Sequence, residues 1–103
     1  MTKTISIATD FTRHPAGREK KDGPFNGELF REEFLEPPIS RDEKLIIDLD
    51  GTRGYGSSFL EEAFGGLVRL GYSPDKLKAL IQFHSADESL IEEIWEYIDD
   101  AGQ

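Results

Sequence analysis

Apolar residues fall into short blocks along the chain, and the spacing within each block predicts an element. Thr4 to Ala8 alternates, with Ile5 and Ile7 on one side, as in a short half-buried strand. Residues 10–26 carry Pro15, Gly17, Gly23 and Pro24 among polar side chains. They read as a long loop with room for a brief second strand, and loops of that length in a compact domain are often functional. Asn26 can cap a helix whose apolar face is Leu29, Phe30, Phe34 and Leu35. Pro37-Pro38 is expected to stop that helix at about Glu36, because proline lacks the donor and crowds the preceding turn. Lys44 to Leu49 reads as the central strand, and its unbroken Leu45-Ile46-Ile47 points to burial on both faces.

A connection punctuated by Gly51, Gly54 and Gly56 follows. Ser58 and Glu61 fit the S-x-x-E capping box, in which two side chains satisfy orphan backbone donors at a helix start. Phe59, Leu60, Ala63, Phe64, Leu67 and Val68 make a wide apolar stripe behind it. Gly65-Gly66 inside this helix costs about 1 kcal/mol per glycine, which close approach of the helix to the sheet would explain. Gly71 suits the position just past the helix end. After a Ser73-Pro74 turn, Leu77 to Phe83 reads as a further strand. Ser85 and Glu88 form a second capping box, opening a last helix with Leu90, Ile91, Ile94, Trp95 and Ile98 inward and Gly102 at its end. Strand–helix alternation of this kind predicts an α/β fold: a small, mostly parallel or mixed sheet of about four strands with helices packed on it.

Length and charge narrow the picture. With 103 residues the chain is expected to be a single domain, 1–103, with one sheet, a few helices and little room for a deep cavity. Cysteine is absent, so disulfides and thiolate metal sites are excluded. No leader-like or membrane-length apolar run is visible, and a cytoplasmic location is expected. Acidic residues number 21 against 12 Lys and Arg, a net charge of −9, which argues against nucleic acid and anionic membranes as partners. The imbalance is local: residues 85–103 hold seven acids and no Lys or Arg, while 13–21 hold Arg13, Arg18, Lys20 and Lys21 against Glu19. The acidic stretch reads first as a solvated face. As an alternative, Glu92, Glu93 and Glu96 would make the last helix a decoy for a basic groove.

Two stretches resemble known families. Leu45 to Thr52 is LIIDLDGT. A hydrophobic strand followed by D-x-D-G-T resembles the first motif of haloacid-dehalogenase-type phosphatases. That resemblance implies Asp48 as nucleophile and Asp50 as acid/base beside Mg²⁺, an alternative function as a phosphohydrolase. The simpler reading is that acidic and glycine residues end a buried strand where the chain turns into water. The second resemblance is broader. FREEFLEPPI (30–39), LIIDLDG (45–51) and GSSFLEEAFGGL (56–67) are similar to the bacterial STAS-like family of unknown function, itself related to anti-sigma factor antagonists.

The STAS resemblance implies a non-catalytic regulatory protein that binds a partner, with no cofactor and no metal. In the antagonists, a serine opening this helix is phosphorylated by a GHKL-type ATPase kinase, and phosphorylation breaks the complex. Aligned residue by residue, Ser57 and Ser58 match the two serines of the Asp-Ser-Ser-Gly pattern, and Ser58 matches the phospho-acceptor. Gly56 stands in place of the Asp and Phe59 in place of the Gly. The implied contact surface is Gly54, Tyr55, Gly56, Ser57, Ser58, Phe59 and Glu62. Elsewhere the chemistry is sparse. His14 and His84 lack metal-ligand spacing to a second His or an Asp pair, and nothing in the spacing supports a triad from Ser57, His84 and Asp48 or Asp50.

Overall fold

A computed structural model describes residues 2–103. Three strands, β1 (Thr2–Ser6), β2 (Lys44–Asp48) and β3 (Ile81–His84), form a sheet in the order β1-β2-β3, parallel throughout. The sheet therefore has three strands among the described residues rather than about four. Four helices accompany them: α1 over 27–40, α2 over 57–69, α3 (Pro74–Leu80) and α4 (Glu88–Ala101).

The register explains which face is covered. Ile5 lies opposite Ile47, and Leu45 opposite Ile81, so Ile5, Leu45, Ile47 and Ile81 share the buried face. Phe30, Leu35, Phe59, Phe64, Leu67, Leu77, Ile94 and Ile98 pack with them in one hydrophobic cluster. The opposite face carries Thr4, Ile46 and Gln82, of which Thr4 and Gln82 are exposed and Ile46 is half-buried. The continuous apolar run of β2 thus ends in alternation rather than burial on both faces, because the helices stack on one side only.

Several elements differ from what the sequence predicts. β1 starts and ends two residues early, and Ile7–Phe11 winds into one wide turn that Thr12 N–H closes on the Ile7 carbonyl at 2.7 Å. Ser6 and Asp10 brace this turn by accepting each other's neighbouring amides: Ser6 Oγ takes Thr9 N–H, and Asp10 takes Ser6 N–H at 2.8 Å. The long loop holds one short 3-10 turn, Lys20–Asp22, a turn at 24–25 and, among the described residues, no second strand. The segment 77–80 is helical: Ser73 caps α3 by accepting Lys76 N–H, and Pro74 occupies its first turn, where a missing N–H costs nothing. Ser73-Pro74 therefore starts a helix rather than a reverse turn.

Helix α1 runs through Pro37-Pro38 to Ser40. Immediately before the prolines, Arg31–Leu35 widens into a π-turn, closed by Glu36 N–H on the Arg31 carbonyl. A widened turn moves the carbonyls that a proline ring would strike, so the prolines are accommodated rather than terminating. Helix α2 has a matching π-turn at Glu61–Gly65. The two helices pack closely here. A Cβ on Gly27 would fall 2.5 Å from the Phe59 carbonyl oxygen, and one on Gly66 would collide with the Arg31 guanidinium. Gly66 thus admits the Arg31 side chain of the neighbouring helix rather than the sheet, while Gly65 faces Glu61 and Arg69 of its own helix.

Candidate functional site

The connection from β2 to α2 is pinned at both ends. Tyr55 OH donates to the Leu49 carbonyl at 2.7 Å, and Arg53 N–H donates to the Arg13 carbonyl at 2.9 Å. Gly51 and Gly54 take positive φ of 96° and 134°, conformations that a side chain would strain. Burial pushes the Tyr55 phenol up to about 12, with the Asp48 and Asp50 charges adding to it. Tyr55 is thus a neutral hydrogen-bond donor at any physiological pH.

Gly56 is the N-cap of α2 and offers no side-chain cap. Ser57 and Ser58 occupy the first two helical positions and are exposed. Ser58 therefore does not form the expected capping box with Glu61, and neither serine hydroxyl meets a protein hydrogen-bond partner among the described residues. Helix α4 is likewise capped by Asp87, which accepts Ser89 and Leu90 N–H, rather than by Ser85 with Glu88.

The rest of the expected surface divides sharply. Gly54, Gly56, Ser57 and Ser58 are exposed and Tyr55 is half-buried. Phe59 is fully buried, its ring 5.8 Å from Phe30 and 6.3 Å from Phe11 and Tyr55, so it supports the site from beneath and offers a partner no contact. Glu62 faces α1. Its carboxylate pairs with Arg31, with Arg18 at 3.4 Å and with Arg69 at 3.6 Å. Glu61 pairs with Arg18 and takes a bidentate grip from Arg69 at 2.7 and 3.1 Å. The Arg69 hydrogen bond, then that from Arg18, holds the Glu61 carboxyl below its ordinary range.

Arg31 is the centre of this network. Its side chain is 10% exposed, it donates to Glu36 at 3.1 Å, and its Nη1 reaches the Glu62 backbone carbonyl at 2.7 Å. That carbonyl lies in the π-turn of α2, where widening leaves an acceptor within reach. Burial works against the guanidinium charge, but the Glu62 and Glu36 hydrogen bonds outweigh it and raise its pKa. Arg18 stands out in the sequence only as part of the basic stretch 13–21, and Arg31 and Arg69 do not stand out at all. Their pairing depends on the phase of two π-turns, which no spacing rule displays.

Register also assembles what sequence distance separates. Asp48 lies opposite His84 across β2 and β3, and Asp50 follows two residues on. One ligand atom from each of Asp48, Asp50 and His84 falls within 4.8 Å of the others. Ser57, by contrast, has no hydrogen bond to either His84 or the two aspartates, so the three do not make a nucleophile–base relay. No helix among the described residues is long and apolar enough to cross a membrane.

A parallel three-stranded sheet covered on one face, with a serine pair opening the helix after the central strand, defines a small STAS-like α/β module. The chain belongs to the STAS-like domain family of unknown function, whose profile matches residues 26–90, well over half of its length. Searches among curated proteins and among solved structures found no match.

Proposed function

We propose that this protein is a non-catalytic regulatory module of the cytosol that binds a protein partner through residues 54–58, and that Ser58 is the switch. The observation that carries this reading is the bare start of α2: two exposed serine hydroxyls without a capping bond, on a helix whose other face is locked into the core. A hydroxyl spent on capping would have to break that bond to react; these do not. The partner is a GHKL-type ATPase acting as a serine kinase, in line with the family resemblance of GSSFLEEAFGGL. Ser58 Oγ attacks the γ-phosphorus of ATP, the bond to ADP breaks as the Oγ–P bond forms, and the hydroxyl proton passes to a base on the kinase. The helix start stabilises the added group locally, while about −1.5 to −2 charges enter the interface and expel the partner.

The test uses wild type and Ser58→Asp as bait in lysate of the native host, read by mass spectrometry. A protein with a GHKL-type ATPase domain should be recovered by wild type and depleted at least about tenfold by Ser58→Asp, a loss of roughly 1.4 kcal/mol. Both baits must melt alike. Equal recovery by the two overturns the proposed surface. A Glu92→Gln/Glu93→Gln/Glu96→Gln variant should bind as wild type does. Loss confined to that variant would assign the interface to α4, as an acidic decoy requires.

A further inference from the structure

The geometry points to a binding site for a divalent first-row transition metal ion, held by Asp48, Asp50 and His84 at the C-terminal edge of the sheet. Three observations converge there. The first is the donor set: two carboxylates and one imidazole, with ligand atoms all within 4.8 Å of one another. Bonds of about 2.0–2.2 Å let one ion span donors roughly 4 Å apart. His84 Nε2 already lies 4.0 Å from Asp50 Oδ2, and its side chain is 70% exposed and free to close the remaining gap.

The second observation is that the aspartates are held by their own turns. Asp48 Oδ1 accepts Asp50 N–H at 3.0 Å. Asp50 Oδ1 accepts Ala86 N–H at 3.0 Å and Ser85 Oγ–H at 3.4 Å. In each carboxylate one oxygen is fixed by a backbone donor, which orients the other, as outer hydrogen bonds orient metal ligands generally.

The third is charge. The adjacent carboxylates Glu61 and Glu62 are neutralised by Arg18, Arg31 and Arg69. Asp48 and Asp50 have no Lys or Arg ion pair among the described residues, and the one cationic candidate beside them is the His84 imidazole. Two adjacent carboxylates repel. A divalent ion would cancel that repulsion and tie β2 to the turn after β3. The imidazole selects the metal class: Mg²⁺ and Ca²⁺ favour oxygen ligands, whereas one nitrogen with two carboxylate oxygens suits Zn²⁺, Mn²⁺, Co²⁺ or Fe²⁺. The site needs His84 and no nucleophile, which separates it from the magnesium phosphohydrolase chemistry that LIIDLDGT resembles. It is also independent of the Ser58 switch.

Calorimetric titration of the full chain with ZnCl₂, with MnCl₂ and with MgCl₂, and Co²⁺ absorption, test the site. One equivalent should bind with a dissociation constant well below about 1 mM. His84→Gln, on an exposed side chain that leaves the fold intact, should weaken Zn²⁺ at least about tenfold and shift the Co²⁺ bands. His14→Ala should do neither. Asp50→Asn should weaken Mn²⁺ and Zn²⁺ together. No saturable binding up to about 1 mM, or equal Zn²⁺ affinity in wild type and His84→Gln, overturns the inference; so does preferential Mg²⁺ binding.

Discussion

Ser58 and Phe59 are neighbours with opposite environments, and the contrast gives the clearest single-residue expectations. Phe59 is enclosed by Phe11, Phe30 and Tyr55. Phe59→Ala should cost about 3–5 kcal/mol in urea unfolding, the usual loss for an emptied aromatic site. Ser58→Ala should stay within about 0.5 kcal/mol, because no capping bond is lost; a loss near the roughly 1 kcal/mol of a genuine N-cap would restore the capping box. Arg31 lies between these cases in chemistry but not in cost. Arg31→Met removes the nearest of the three arginine partners of Glu62 and the donor to its carbonyl together, and about 3 kcal/mol is expected, as for breaking other buried ion pairs.

At the level of elements, the glycines of the α1–α2 contact should rank by what a methyl would strike. Gly27→Ala meets the Phe59 carbonyl and the Ala63 amide, backbone that cannot yield, and should cost about 1–3 kcal/mol. Gly66→Ala meets the fixed Arg31 guanidinium and should be next. Gly65→Ala meets the end of Glu61, a half-exposed side chain, and should cost least, offset by alanine's better helix propensity of about 1 kcal/mol. Thermal melts of the three variants check the order. The same contact explains how far the sequence could be read. Strands β1 and β2, the cap at Asn26, the helix behind Ser58 and the helix ending at Gly102 follow from spacing and end residues. The run through Pro37-Pro38 does not, because local rules assume four-residue helical closure and a π-turn breaks that assumption. Helix α3 was legible in Ser73-Pro74-Asp75, a cap, a first-turn proline and a first-turn acid. Leu77 to Phe83 outweighed it only because a short apolar run serves a helix or a strand equally well. For the site, GSSFLEEAFGGL located the helix start, but not which of its residues look outward.

For the whole molecule, the charge network sets a pH dependence. Glu61 is held below its ordinary value of 4.5 by Arg69 and Arg18. The unfolded chain therefore binds the proton more readily, and Glu61 contributes stability that is complete above that value and fades as pH falls through and below it. The urea midpoint should fall on acidification from pH 6 towards pH 3, and Glu61→Gln should flatten part of that slope while lowering the plateau at neutral pH. A slope unchanged by Glu61→Gln would show that the surface pairs elsewhere carry it.

The π-turn at Glu61–Gly65 also fixes an angle. One residue more than an ordinary turn sits between Ser57-Ser58 and the half of α2 that Leu67 anchors. Successive residues of a helix are set about 100° apart. Winding 61–65 as ordinary turns with every residue kept would therefore swing the serine pair by about that angle around the helix axis while Leu67 stayed in place, whereas deleting one residue there would restore a regular helix with both faces kept. The widened turn works as a phase setting: it lets one helix present its anchor and its hydroxyls in directions that a regular helix of this sequence would not combine.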